Sequence, residues 1–340
     1  MWLAGAWGGC TQAIEFDDAV APPYVFVDGG VDIGAPTQEI RVGQTTGAGR
    51  EGVAVVAGVS VRLAELESGR EVACGDQGEG VFACGLAGAY GRTYRLTIDL
   101  PGAGAYTATT GPLAEADLGL AAAAGLEVVR RPDGETLETA AAIIDLHYDV
   151  PAGPAGVLLV RTGLSWAYTD LAAGGLDPAL TCYFDEGLTG GYVIADLGAR
   201  AAGARALVRV GRFPLDFRTA TASVVSVEAT RVPVAARRYY RDLSVALALG
   251  GSIFSERPYS TIGNAIAPAG GPAMLGYFAV RDRETLRVPL TSREIKARTP
   301  PPLCRSLDAA PPPDIDCVNC LAVNPALFGE VSLRPPPWWP

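Results

Sequence analysis

Glycine and proline interrupt this chain so often that long helices are excluded from most of it. Its 340 residues include 42 Gly and 26 Pro, with short β-branched and aromatic runs between them. Glycine tolerates the positive φ of tight turns, whereas proline lacks the amide donor that a helix interior needs. The sequence therefore predicts a mainly β fold made of short strands and many turns.

The first part of the chain is predicted to be an immunoglobulin-like β-sandwich over 20–112. Its clearest strand is expected at 92–100, where Tyr94, Leu96 and Ile98 alternate with polar residues. Strands at this spacing, with no helix pattern between them, are typical of such a sandwich. The other strands predicted here are 24–28, 38–42, 53–63 and 105–109.

A second β-rich domain with one helix is predicted over 141–303. The helix is expected at 234–249, where Tyr239 and Leu243 share an apolar face that we interpret as core. The strands predicted here are 142–150, 156–162, 191–196, 206–213, 222–230, 277–281 and 285–290. The remaining segments are interpreted as a truncated lipoprotein signal and tether (1–19), a linker (113–140) and a Cys/Pro-rich tail packed on the second domain (304–340).

Composition limits the classes of partner. The formal net charge is −10, whereas nucleic-acid binding needs a clustered cationic surface. The same charge argues against binding to anionic lipid headgroups by charge alone. Apolar residues make up 49% of the chain, which predicts a globular protein.

The cysteines predict an oxidising compartment. Cys74 and Cys84 lie on two short strand-like runs, so a disulfide closing that hairpin is expected. Three connectivities are open for the other candidates, and we expect the tail to be joined to the second domain through Cys182 or Cys304. Zinc at the Cys-x-x-Cys pair near the C-terminus is an alternative, although no second such pair is present. The four cysteines concerned are Cys182, Cys304, Cys317 and Cys320.

The N-terminus resembles the end of a bacterial lipoprotein signal. A short apolar stretch ends in Gly8 and Gly9, directly before Cys10. We expect Cys10 to be lipidated and the printed start to lie inside a longer signal peptide, which would anchor the protein without crossing the bilayer. The alternative is an apolar tail with a structural cysteine.

The stretch 250–281 combines prolines and glycine turns with many large apolar residues. Two interpretations explain this pattern: a buried connection that closes the core, and a loop that faces a ligand. The same stretch can do both.

Several segments resemble one protein family. GSIFSERPYSTIGNAI at 251–266 and MLGYFAVR at 274–281 are similar to the signature of DUF 4249, Bacteroidota cell-envelope lipoproteins of unknown function. Further similar pieces are QAIEF after Cys10, 91–108, 143–150, and the final CVNC and PPPWW. The resemblance implies an outer-membrane lipoprotein with an immunoglobulin-like domain, and genes of this family often lie beside TonB-dependent transporters.

Two groups of candidate site residues follow. Asp145, His147 and Asp149 share one face of a predicted strand and are a weak candidate for a metal site, or simply a solvated face. A weak candidate for ligand binding is formed by aromatic and amide residues that bind sugars or peptides when exposed and form core when buried. These residues are Trp166, Tyr168, Tyr183, Tyr259 and Asn264.

We expect no enzymatic activity and no cofactor. The favoured hypothesis is a lipid-anchored outer-membrane binding protein that captures or gates cargo for a TonB-dependent transporter. The alternatives are a structural or adhesive envelope protein, and an envelope hydrolase that uses carboxylates or the Asp145, His147 and Asp149 face.

Overall fold

The computed structural model describes residues 24–45, 53–130, 138–153, 156–169, 180–198, 200–249, 263–271, 273–300, 320–322 and 328–340. The predictions for the N-terminal tether, and for the individual residues Cys10, Tyr259, Cys304 and Cys317, lie outside these ranges. Within them the protein is mainly β with one long helix, which confirms the predicted fold class.

Eighteen strands and two helices are described. The first strands are β1 (Val25–Asp32), β2 (Gln38–Thr45), β3 (Val53–Ala54), β4 (Ser60–Glu65), β5 (Glu71–Ala73), β6 (Gly75–Gly78), β7 (Val81–Cys84), β8 (Tyr94–Leu100) and β9 (Gly104–Thr109). The later strands are β10 (Ala121–Arg130), β11 (Glu138–Asp149), β12 (Val157–Thr169), β13 (Thr181–Asp196), β14 (Arg205–Pro214), β15 (Ala222–Val232), β16 (Ala265–Ile266), β17 (Ala279–Pro289) and β18 (Glu330–Ser332). The helices are α1 (Arg237–Leu249) and the short α2 (Arg293–Arg298).

One large sheet runs through both parts of the molecule. Its strand order is β18-β13-β12-β15-β17-β1-β2-β7-β6, with β3 paired to β2. The two parts meet where β1 and β17 pair in parallel, Val31 opposite Val280. Two smaller sheets have the orders β16-β9-β8-β4-β5 and β10-β11-β14.

The N-terminal part is a β-sandwich. Tyr94, Leu96 and Ile98 of β8 are buried, and the residues between them are exposed or half-buried, as the alternation predicts. They pack against Val27 and Ile40 from the large sheet. Burying these side chains from both sheets supplies the main stabilisation of this part, at roughly 1.5–3 kcal/mol for each fully buried large apolar side chain.

The larger core lies between the large sheet and the sheet β10-β11-β14. In β12, Leu158 and Val160 face this core, whereas Val157 and Leu159 face a smaller cluster under α1. Both faces of β12 are therefore covered, which explains its nearly continuous apolar sequence.

The predicted linker 113–140 differs from the structure, because it contains the ten-residue strand β10, which pairs with β11 along its full length. Its run of alanines carries no β preference of its own, so the strand forms through that pairing and through apolar contacts of Ala122, Ala124 and Leu126 with the larger core. The division into domains at the predicted boundaries stays a prediction.

Two disulfides are described, and both agree with the cysteine analysis. Cys74 pairs with Cys84 across the predicted hairpin. Cys182 of β13 pairs with Cys320, so the tail is joined to the second part through Cys182. The tail also adds β18 to the edge of the large sheet beside β13. In the described ranges, neither α1 nor α2 combines the length and the hydropathy that a bilayer-spanning helix requires.

Candidate functional site

The main candidate site is a cavity of about 410 Å³ where β1, β12, β13 and β17 approach α1. Four tyrosines line it, and we call it the tyrosine cavity. Its volume lies within the roughly 300–1,000 Å³ that is typical of small-molecule sites. The lining side chains that matter here are Asp28, Arg161, Tyr192, Tyr239, Tyr240, Leu243, Tyr277 and Arg281.

The backbone around Gly276 gives this cavity one of its walls. The amide of Val27 donates to the Leu275 carbonyl at 2.9 Å, and the Leu275 amide donates to Val25 at 2.9 Å. Gly276 has a φ of +95°, and a Cβ there would collide with the Val27 carbonyl, so only glycine fits. This close approach sets Tyr277 beside β1.

The four tyrosine rings meet at steep angles. Tyr239 and Tyr240 are perpendicular, with ring centroids 5.2 Å apart, and Tyr192 meets Tyr240 edge to face at 5.2 Å. Tyr277 is tilted against Tyr239 at 5.3 Å. Edge-to-face pairs place the positive ring edge against the negative face, which stabilises this arrangement by about 0.5–1.5 kcal/mol per pair beyond burial.

Within the described residues, the four tyrosine hydroxyls make no hydrogen bond to a protein group. In the described part of the chain, Ser223 is the one residue with a fully buried side-chain polar atom that has no partner. The four hydroxyls are therefore not sealed from solvent.

Burial nevertheless raises the pKa of three of these phenols, Tyr239, Tyr240 and Tyr277. It raises the pKa of Tyr239 to about 12, with the nearby Asp28 carboxylate as the next cause. Burial raises the pKa of Tyr240 as well, again with contributions from Tyr192 and Asp28. Both phenols are therefore neutral across the physiological range and can donate or accept a hydrogen bond.

The charged groups of the cavity balance each other. Arg281 forms a bidentate pair with Asp32, at 2.7 and 2.9 Å. Arg161 donates to the Leu188 carbonyl at 2.7 Å, and its guanidinium lies 5.4 Å from the Tyr192 ring centroid. Asp28 is exposed and has no ion pair within the described ranges. Asp28 and Arg161 thus carry the two charges without an ionic partner, and they have opposite signs.

A second cavity, of about 280 Å³, lies beside Arg231. The Arg231 side chain is 1% exposed and pairs with Asp282 at 2.8 Å. It also donates to the Ala114 carbonyl at 2.7 Å and lies over the Tyr90 ring, 5.6 Å from its centroid. We call Tyr90, Ala114, Arg231 and Asp282 the Arg231 cluster, and its buried cation is fully engaged by protein groups.

Two of the aromatic residues predicted to bind a ligand belong to the core instead. Trp166 is fully buried and stacks on Phe184 at 4.2 Å, and Tyr168 stacks on the same ring at 5.6 Å. The Trp166 indole N–H donates to Glu186 at 2.9 Å. This correction has a simple cause: both faces of β12 are covered, so its aromatic residues have no exposed face.

The other two described candidates also lie outside the tyrosine cavity. Tyr183 is half-buried and contacts the Trp339 ring edge to face at 5.3 Å. Asn264 exchanges hydrogen bonds of 2.7 and 2.9 Å with the Phe278 backbone. Asn264 is therefore a structural residue that fixes the start of β17 next to Tyr277.

The three residues predicted as a weak metal candidate do not form a metal-binding cluster in the structure. Asp145 pairs with Arg209 at 3.2 Å, and Asp149 pairs with Arg205 at 3.0 Å. Asp145 and Asp149 are therefore each engaged by an arginine on the neighbouring strand β14. No group of three or more metal-ligating side chains is found in the part of the chain that the structure describes. The solvated-face interpretation fits these three residues.

Sequence reasoning missed most of the cavity lining. It treated Tyr239 and Leu243 as core and named Tyr277 only as one of the large apolar residues of 250–281. The available signal was the consecutive pair Tyr239 and Tyr240 on an amphipathic helix. In the described part of 250–281, Tyr277 and Arg281 line the cavity, and the ligand-facing interpretation of this stretch stays a prediction. No protein-family model, curated protein or solved structure matches this chain.

Proposed function

We propose that this chain is a lipid-anchored binding protein of the outer membrane that captures or gates cargo for a TonB-dependent transporter. The single observation that carries the binding role is the tyrosine cavity, whose four phenol hydroxyls make no hydrogen bond within the described residues. Hydroxyls that line a pocket and reach solvent can exchange water for a ligand group.

The membrane location rests on separate features. The resemblance to DUF 4249 lipoproteins and the small residues before Cys10 support anchoring through an acylated cysteine. The two disulfides fit an oxidising compartment. The negative net charge fits a protein that is held at the membrane by acyl chains and not by attraction to anionic lipid.

The test uses the full chain behind a complete signal peptide, expressed in a Bacteroidota host, with Cys10→Ser as the matched control. We expect the mature protein to carry acyl mass at Cys10 and to co-purify from membranes with a TonB-dependent transporter. The Cys10→Ser variant should lose the acyl mass and leave the membrane fraction. Unmodified wild-type protein in the cytosol with reduced thiols would contradict the proposal, and cell-surface partners alone would favour an adhesive role.

A further inference from the structure

The tyrosine cavity contains enough chemical detail to indicate the class of ligand. Its charges without an ionic partner are one carboxylate, on Asp28, and one guanidinium, on Arg161. The charge of Arg281 is paired with Asp32, which also lies 3.6 Å from Arg283, and Arg283 has a second partner in Glu228. A ligand with a net charge would therefore be repelled by whichever of the Asp28 and Arg161 groups has the same sign. An uncharged ligand is not repelled by either group, because their charges are opposite.

The ring geometry provides apolar surface in more than one direction. Tyr239 and Tyr240 are perpendicular, and Tyr277 is tilted against Tyr239 by 35°. Faces in different planes can contact a compact, non-planar molecule from several sides, whereas a flat ligand is best held between parallel rings. The C–H faces of a pyranose ring have the required shape.

The polar groups favour a polyhydroxylated ligand over a zwitterion. Four phenol hydroxyls, each able to donate and to accept, make no hydrogen bond within the described residues. A zwitterion would need a free cation for its carboxylate, but Arg161 is already directed to the Leu188 carbonyl and the Tyr192 ring. Ligand hydroxyls can bond to the phenols and to Asp28 without disturbing those contacts.

We infer that the tyrosine cavity binds a neutral carbohydrate of one or two sugar units. This inference rests on the proposed binding function and adds the ligand class. The aromatic faces contact the C–H surface of the sugar, and the phenols together with Asp28 bond to its hydroxyls. The cavity volume of about 410 Å³ limits the bound part to a short saccharide.

Binding is tested on the intact, disulfide-bonded protein with an array of neutral, acidic and amino-sugar glycans, followed by titration calorimetry with the retained disaccharide. We expect neutral glycans to be retained selectively. Tyr277→Ala removes one aromatic face and should weaken binding by about tenfold or more. Tyr240→Phe keeps the ring and removes one hydroxyl, and should weaken binding by roughly 2- to 10-fold.

The control is Tyr183→Ala, which removes a tyrosine outside the cavity and should leave the affinity unchanged. Tetramethylammonium and glycine are titrated as cationic and zwitterionic probes. Retention of charged probes without neutral glycans overturns the ligand class, and so does equal loss of affinity in Tyr183→Ala and Tyr277→Ala. If no glycan is retained while the transporter still co-purifies, the carbohydrate inference fails and the proposed function survives.

Discussion

The Arg231 cluster and the tyrosine cavity both lie beside β17, yet their polar groups differ in how far the protein supplies their hydrogen-bond partners. In the cluster, a buried guanidinium is matched by Asp282, the Ala114 carbonyl and the Tyr90 ring. In the cavity, four phenol hydroxyls make no hydrogen bond to any residue that the structure describes. The comparison distinguishes groups that hold the fold together from groups that are free to hold something else.

The largest expected effect is on the Arg231 cluster. Arg231→Met should lower the free energy of unfolding by about 2–3 kcal/mol, because it leaves Asp282, 29% exposed, without its ionic partner and the Ala114 carbonyl without its donor. Urea denaturation at pH 7 measures the change. Arg209→Met is the control, since its half-exposed side chain pairs with Asp145 and Glu127 at the surface and should contribute about 1 kcal/mol or less. Equal losses of unfolding free energy in the two variants would show that the buried arginine contributes no more to stability than the surface arginine.

A smaller difference in unfolding free energy is expected between hydroxyl removal at two buried tyrosines, Tyr94 and Tyr240. The Tyr94 hydroxyl accepts from the Ala89 amide at 2.9 Å and donates to the Ala87 carbonyl at 3.2 Å. Tyr94→Phe should therefore cost about 1–3 kcal/mol of unfolding free energy. Tyr240→Phe should change it by less than about 0.5 kcal/mol, because the Tyr240 hydroxyl makes no hydrogen bond in the described part of the chain. A loss in Tyr240→Phe that equals the loss in Tyr94→Phe would mean that the Tyr240 hydroxyl has a structural role.

At neutral pH the last effect is absent, because the ionisation of Tyr239 changes stability only in alkaline solution. The pKa of Tyr239 is raised from 10.0 to about 12, so the folded protein holds this proton more tightly than the unfolded chain does. The resulting stability is fully present below pH 10 and is lost as the pH rises from 10 to about 12. Unfolding free energies measured along this interval should fall less steeply in Tyr239→Phe than in the wild type. Identical slopes would mean that the phenol is as accessible in the folded protein as in the unfolded chain.

Most of the fold could be predicted because its signals are local. The alternation at Tyr94, Leu96 and Ile98 indicates a strand with one buried face, and the cysteine pair at Cys74 and Cys84 indicates its own hairpin. The strand β10 could not be predicted in this way. Its alanines carry no β preference, so this segment becomes a strand because it pairs with β11.

The candidate site could be predicted only in part, because its residues come from distant segments. Asp28, Tyr192 and Tyr277 are ordinary residues in their own stretches, and only the strand order brings them to one cavity. For the aromatic cluster around Trp166, the sequence left ligand binding and core both open. Its density in sequence does not decide between them, and the covering of both faces of β12 makes it core.

The parallel pairing of β1 with β17 has a consequence for how the protein is made. Asp32 and its partner Arg281 are 249 positions apart, so β1 emerges from the ribosome long before the strand that completes its sheet. At roughly 5–20 residues per second, that delay is on the order of 12–50 s. During this time one edge of β1 is open to other chains. A β-sandwich fragment truncated before β17 should thus be prone to aggregation, and no fragment of that kind can assemble the wall that Tyr277 contributes.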